Sequence, residues 1–483
     1  MIRRQMLRRT KIVATLGPAS SNPKVLGHMI QAGIDVVRIN FSHGTKEEHI
    51  EITELTRSLA RSAGRAIGVL ADLQGPKIRI GKFENGSITL KTGDTFVLDA
   101  DCDLGNQECV GLDYKELPNN VGAGVTFMLD DGRIVLSVSK VKGHKVYCTV
   151  EQGGKLTNNK GINFKGGGLS APALTSKDME DIKTAAAFKA DYLAVSFPRS
   201  GKDISKARDL MHQAGGKSLL MAKIERTEAI SALDDILQAS DAIMVARGDL
   251  SVEVGDAAVP ALQKRMIRTA RANNKLVVTA TQMMESMVAS KIPTRAEVSD
   301  VANAVLDGTD AVMLSSESAS GLYPVEAVEA MARVCLEAEK EYLVNLDLRR
   351  NQSRTPDTIE EAIARATMFT AGGLKISAIA ALTQSGLTAL LMSRKSSNVP
   401  IFALSPQVDS RRKMTLFRGV YPVSFGGGLR DPEMILNLAE NELLKRGVVK
   451  KDDLILMTIG EPVGKAGGTN TMKIVKVGEH INT

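Results

Sequence analysis

Residues 221–253 read MAKIERTEAISALDDILQASDAIMVARGDLSVE, and two short apolar runs around and inside this stretch decide the fold. The first, Leu219–Ala222, gives way to Lys223-Ile224-Glu225. The second, Ala242–Ala246, gives way to Arg247-Gly248-Asp249. An amphipathic segment, Thr227 to Gln238, separates them. Apolar run, helix, apolar run is the pattern of a βαβ unit, whose parallel strands are buried on both faces. Both strands then end on one edge of the sheet, so Lys223, Glu225 and Asp249 face the same opening. An ammonium and two carboxylates, beside a glycine that bares backbone N–H groups, suit an anionic substrate held through a hard metal ion.

Outward from that unit the pattern recurs. Apolar runs at Ile12–Leu16, Val36–Phe41, Ile67–Leu73, Tyr192–Phe197, Leu219–Ile224, Ala242–Ala246, Leu276–Thr281 and Ala311–Leu314 alternate with helical periodicity. Eight βα repeats predict a closed (β/α)8 TIM barrel with its active site at the carboxyl ends of the strands. One interval breaks the rhythm. Residues 75–170 are rich in Gly, Asp, Asn, Val and Thr, with hairpin signals at Glu84-Asn85-Gly86 and Asp130-Asp131-Gly132-Arg133. They predict a small β-barrel lid inserted after the third strand, over the mouth. Past Lys340, a polar linker from Asn345 to Pro356 precedes a second α/β pattern. The expected division is therefore 1–74 and 171–345 for the barrel, 75–170 for the lid and 346–483 for a carboxyl-terminal α/β domain.

Composition narrows the function. The 483 residues are 43% hydrophobic and 24% charged, ordinary for a globular chain, and too many for one core. No apolar run approaches the ~20 residues of a membrane span, and the basic start, Met1–Arg9, lacks the apolar centre of a signal peptide. Cys102, Cys109, Cys148 and Cys335 show neither metal-ligand spacing nor a disulfide framework, which fits a reducing cytoplasm. The net charge of +7 is spread along the chain, and aromatic residues are only 4%, with no Trp. That pattern argues against nucleic acid and for phosphorylated small molecules.

The polar residues at the strand ends converge. Strand one ends in Thr15; strand two carries Arg38, Asn40 and Ser42 on one face, followed by His43. Strand three ends in Asp72 and leads to Lys77 and Arg79. Strand five gives Lys223 and Glu225, strand six Arg247 and Asp249, strand seven Thr279 and Thr281, and strand eight Ser315 and Glu317. A lone Ser or Thr there can simply cap a helix. Burying Lys223, Glu225 and Asp249 together costs several kcal/mol unless a ligand or ion offsets it.

Five stretches resemble pyruvate kinase: Arg38-Ile39-Asn40-Phe41-Ser42-His43-Gly44, Asp72-Leu73-Gln74-Gly75-Pro76-Lys77-Ile78-Arg79, Lys223-Ile224-Glu225, Met244-Val245-Ala246-Arg247-Gly248-Asp249-Leu250, and Ala280–Met287. The resemblance covers nearly the whole chain. It implies transfer of phosphate from phosphoenolpyruvate to ADP, then protonation of pyruvate enolate. By similarity, Glu225 and Asp249 bind Mg²⁺ or Mn²⁺, and Lys223 meets the moving phosphoryl group and the enolate oxygen. Backbone N–H groups of Arg247, Gly248 and Asp249 hold the substrate carboxylate beside Thr281. Thr281 and Ser315 position the water that protonates the enolate. Arg38, Asn40 and Arg79 steer phosphates, and Lys177 reaches the nucleotide. His43 stays outside the catalytic set. The resemblance also implies a homotetramer.

Departures sharpen the reading. Many family members hold K⁺ with residues matching Asn40, Ser42 and Asp72, and carry an acidic residue where this chain has Lys77. A lysine there can supply the monovalent charge, and Leu73-Gln74 resembles the potassium-independent branch, so turnover without K⁺ is expected. Ser251, Ser316 and Ser318 also depart from the usual residues without removing a ligand. In the last domain, Thr383, Ser385, Gly386 and Thr388 lie between a strand and a helix, a pattern that cradles phosphate or merely caps a turn. The family binds phosphorylated effectors in this domain, which implies an activator site there, closed by the loop carrying Lys465. The expected activator is a sugar phosphate, with AMP as the alternative. Metal-dependent aldolases or lyases also stabilise pyruvate enolate, but need neither Arg79, Lys177, a lid nor a phosphate cradle; a pure regulator needs no intact Lys223, Glu225, Asp249 and Thr281.

Overall fold

Eight strands whose side chains are almost all buried alternate with helices in the computed structural model: β1 Lys11–Thr15, β2 Val36–Asn40, β3 Gly68–Asp72, β4 Tyr192–Val195, β5 Leu219–Ile224, β6 Ala242–Ala246, β7 Leu276–Ala280 and β8 Ala311–Leu314. The structure describes residues 7–130, 132–165, 172–344, 355–395, 397–426, 431–464 and 467–479. Asp131, most of the expected linker at 345–356, and Lys465 lie outside the described residues. The eight strands close into a parallel ring in the order β1-β8-β7-β6-β5-β4-β3-β2. Outside the ring, capping boxes at Thr45/Glu48, Thr175/Asp178 and Thr294/Glu297 start three of the surrounding helices.

Register pairs neighbouring expected site residues near the carboxyl ends of the strands. Thr15 pairs with Arg38, Asn40 with Asp72, and Lys223 with Met244. Two local expectations change. The segment Thr227–Gln238 is two short helices, Thr227–Ser231 and Leu233–Ala239, joined at Ala232. Asp234 and Asp235 place negative charge in the first turn of the second helix, which favours a new start there. Arg247, where the sequence pattern marks no helix, opens one, Arg247–Val254, whose sequence has almost no apolar stripe to betray it.

The insert forms a six-stranded sheet whose edge strands are Ile162–Phe164 and Cys109–Val110. Arg79 bridges Gly161 beside one edge strand, and Ile80 bridges Leu112 beside the other, so the stem runs between the two edges of the sheet. Phe96, Phe127, Leu136 and Val146 fill it, all fully buried. The last domain is a five-stranded sheet of β9 Ile376–Leu382, β10 Ile401–Ser405, β11 Val420–Ser424, β12 Leu454–Gly460 and β13 Thr469–Lys476. Its order is β11-β10-β9-β12-β13, parallel except for β13. It docks on the barrel through a shared core in which Leu70, Tyr192 and Met221 join Met414, Leu416 and Phe417.

Candidate active site

Lys223 stands at the centre of the carboxyl edge. Its Nζ lies 2.9 Å from Glu225 Oε1 and 3.5 Å from Asp72 Oδ1, and donates to Ser196 Oγ at 2.7 Å. Burial pushes the Lys223 pKa down, but the fields of Asp72 and Glu225 outweigh it and raise it above the ordinary lysine range. The side chain is thus held as a cation. Burial pushes the Glu225 carboxyl up, and although Lys223 opposes this, the nearby Asp249 adds to it, leaving it above its usual range. The second oxygen of Glu225 accepts from the backbone N–H of Phe197 at 2.8 Å. Phe197 sits at φ 53°, a backbone strain tolerated where it aims that donor.

Asp249 belongs to the first turn of the helix Arg247–Val254 and accepts from Lys77 Nζ at 2.8 Å. Burial raises its carboxyl, but Lys77 by charge and hydrogen bond, with Lys223 and a bond from Asn163, brings it below the ordinary value. The lid thereby reaches the mouth through two residues, Lys77 and Asn163. Arg38 donates Nε to Asp72 Oδ2 at 2.6 Å and Nη1 to Thr15 Oγ1 at 3.1 Å. Asn40 Oδ1 accepts from the Ser42 N–H at 3.2 Å. Arg79 sits on the lid stem with Nη1 donating to the Asn159 carbonyl, and Lys177 pairs with Asp181 and donates to the Phe41 carbonyl.

The Arg247 side chain takes a different task from substrate contact. It is buried, pairs with Asp300 at 2.7 Å, and donates to the carbonyls of Ala280, Thr281 and Gln282. Thr281 and Gln282 are both at positive φ, 67° and 53°, so Arg247 clamps a strained turn. Of the three N–H groups read as carboxylate donors, that of Gly248 is given to Thr281 Oγ1 at 2.8 Å, and the Thr281 hydroxyl donates to the Ala280 carbonyl at 2.7 Å. Ser315, half-buried at the end of β8, gives its N–H to Glu317, which also accepts from Met284.

Ser196, Phe197 and Asn163 are the participants that the residue-by-residue reading passed over. Ser196 follows the apolar run of β4 and is the polar end of that strand. The same rule would have found it. Asn163 lies in a lid strand and carries no sequence signal for the barrel mouth.

A cavity of about 860 Å³ lies in the last domain, lined by Thr383, Ser385, Thr388, Gly464, Gly467 and Thr469 among others. Gly386, at φ 90°, sets the turn and gives its N–H to Thr383 Oγ1. The Thr388 hydroxyl is buried and bonded to that of Thr469 at 2.6 Å, so it forms the back wall.

Hard carboxylates flanked by lysine ammoniums, at the carboxyl edge of a closed barrel and beneath a β lid, define a metal-assisted enzyme for anionic substrates. The family described as "Pyruvate kinase, barrel domain" matches residues 7–328, and "Pyruvate kinase, alpha/beta domain" matches 361–475. The chain is 51% identical to "Pyruvate kinase II" of Salmonella typhimurium, over 98% of this chain and 99% of that one. It is 51% identical to "Pyruvate kinase" of Haemophilus influenzae over 94% and 96%, and 50% identical to that of Buchnera aphidicola over 98% and 99%. The chain belongs to the pyruvate kinase family, and is a phosphotransferase.

Proposed function

We propose that the protein transfers the phosphoryl group of phosphoenolpyruvate to ADP and protonates the resulting enolate, giving pyruvate and ATP. The observation that carries this is the Lys223 ammonium, fixed between Asp72, Glu225 and Ser196 and held charged. It is suited to meet negative charge on the phosphoryl and enolate oxygens. Glu225 and Asp249 fit a divalent ion, Mg²⁺ or Mn²⁺: the Glu225 carboxylate is buried, Asp249 is half-buried, and the charge of Asp249 raises the cost of ionising Glu225. Two carboxylates fill only part of the coordination sphere of such an ion, which leaves positions for substrate oxygens. When bound, that ion supplies positive charge beside the reacting anions.

The chain's own groups do the rest. Arg38, Asn40, Arg79 and Lys177 steer phosphates. The N–H groups at the start of the helix Arg247–Val254 orient the substrate carboxylate, and Gly248 keeps the Thr281 hydroxyl in place for its part in protonation with Ser315. The Lys77 ammonium at the mouth supports turnover without K⁺. The last domain's cavity, of a size typical for small ligands, supports activation by a sugar phosphate, or alternatively AMP. Exposed Ile359 and Phe369 on one helix support a homotetramer, and no helix of the described residues is long and apolar enough to cross a membrane, in keeping with a cytoplasmic enzyme. The domain limits 1–74, 75–170, 171–345 and 346–483 belong to this reading. The test is ADP-dependent release of pyruvate from phosphoenolpyruvate, abolished by exhaustive chelation and reduced at least a hundredfold by Lys223→Met. Turnover surviving either treatment overturns it.

A further inference from the structure

Cys102 and Cys109 face one another across a hairpin of the lid, with their sulfurs 4.0 Å apart and both residues half-exposed. Glycines let the two arms approach. A Cβ on Gly111 would stand 2.1 Å from the Cys102 carbonyl oxygen, and one on Gly105 would stand 2.8 Å from that of Cys109. Asn106 closes the turn: its N–H donates to the Cys109 carbonyl at 2.9 Å, and its side chain accepts from the N–H groups of Glu108 and Cys109. The pair is therefore held together by backbone, with about 2 Å left for the sulfurs to close.

The hairpin continues into the segment that holds Arg79. Cys109–Val110 is a lid edge strand, and beyond it Gly111 accepts from Gly81 N–H at 2.8 Å. Asp113 donates its N–H to the Arg79 carbonyl at 3.1 Å, and accepts from Arg79 N–H at 2.7 Å. We propose that Cys102 and Cys109 form a reversible disulfide on oxidation by a hydroperoxide, and that this bond alters how the lid presents Arg79 to the nucleotide. The second half rests on the reading that ADP meets Arg79.

The step balances. The Cys102 thiolate attacks one peroxide oxygen, the O–O bond breaks, and the departing oxygen leaves after protonation as water from hydrogen peroxide, or as an alcohol from an organic hydroperoxide. The sulfenic acid so formed is attacked by the Cys109 sulfur; the S–O bond breaks, and water leaves with the Cys109 proton. Two thiols lose two electrons and the peroxide gains them. Cys102 is the first nucleophile because burial, the neighbouring Cys102 thiol and Asp99 push the Cys109 thiol up, against the opposing charge of Lys145. Cys148 and Cys335 are buried and pushed up to about 12 by burial, so they do not compete.

The full chain is treated with hydrogen peroxide, unfolded, alkylated and digested. Mass spectrometry should find a Cys102–Cys109 cross-link that dithiothreitol removes and Cys102→Ser or Cys109→Ser abolishes. Oxidised enzyme should show KM for ADP raised at least twofold, restored by dithiothreitol and unmoved by peroxide in either variant. Both cysteines recovered alkylated after peroxide overturn the site. A cross-link with ADP KM unmoved overturns the coupling. Untreated enzyme that releases no pyruvate fails the functional reading instead, and leaves the mass readout intact.

Discussion

Lys77 Nζ stands 2.8 Å from Asp249 Oδ1, so an amine on the lid stem is paired with a carboxylate of the barrel mouth. The proposed K⁺-independent turnover assigns the monovalent charge to that amine. Wild-type enzyme should turn over in potassium-free, sodium-free tetramethylammonium buffer, and Lys77→Met should lose tenfold or more there. The pair also sets a pH dependence. Lys77 lowers the Asp249 carboxyl, so removing it lets that pKa rise and lets protons compete with the divalent ion at acid pH. The Mg²⁺ half-saturation of Lys77→Met should therefore worsen more at pH 6 than at pH 8. Wild-type dependence on added K⁺ of tenfold or more would refute the first expectation, and an equal Mg²⁺ penalty at both pH values the second.

Ser196 joins two elements through one hydroxyl: it accepts from Lys223 Nζ at 2.7 Å and donates to the Leu73 carbonyl at 2.7 Å. It is fully buried, so nothing else in solvent can replace it. Ser196→Ala removes a bond to a charged donor, an interaction of about 1.5–3 kcal/mol, part of which Glu225 and Asp72 retain. The expected result is a fall of about tenfold in kcat with KM for phosphoenolpyruvate changed less than threefold, and recovery in Ser196→Thr. A KM effect alone, with kcat intact, would show that Ser196 does not position Lys223.

Strands with continuous apolar runs and a polar end were legible because burial on both faces leaves no other composition possible. Lys223, Glu225, Asp72 and Asp249 were found by that rule, and β4 yields Ser196 by it as well. Asn163 was not legible, since its role depends on how the lid folds back, a contact far apart in sequence. The helix Arg247–Val254 was not legible for another reason: it carries little amphipathic pattern. The task of the Arg247 side chain was hidden too, because its partner Asp300 lies 53 residues downstream.

Beneath the barrel, Asp310 and Arg394 form a pair buried on both sides, and Asp310 also accepts from the N–H groups of Val277 and Arg418. Breaking such a pair leaves a buried charge and costs about 3–5 kcal/mol. Burial raises the Asp310 carboxyl, but Arg394, with Arg271 and the Val277 bond, brings it below the ordinary value. A carboxyl lowered in the folded state contributes stability that is present above its unfolded pKa, about 4, and lost as pH falls through and below it. Arg394→Met should thus depress Tm strongly at pH 7 and less at pH 4. A Tm shift that is equal at both pH values, or absent, would contradict this account of the domain junction.

In the last domain, Ser385 lines the 860 Å³ cavity, and its hydroxyl makes one long contact, accepting from Leu387 N–H at 3.4 Å. It therefore has capacity left for a ligand oxygen. The Thr388 hydroxyl is buried and already bonded to that of Thr469, so Ser385 is the more accessible of the two. A carboxylate at 385 would meet an incoming phosphate as a like charge in a partly enclosed space, where repulsion is weakly screened. Ser385→Asp should leave unactivated turnover within twofold of wild type, while raising the activation constant for the responsive sugar phosphate, or for AMP, by tenfold or more. Initial rates at subsaturating phosphoenolpyruvate, titrated with each phosphorylated metabolite, check this. If activation by all of them survives the substitution, the effector does not bind against this turn.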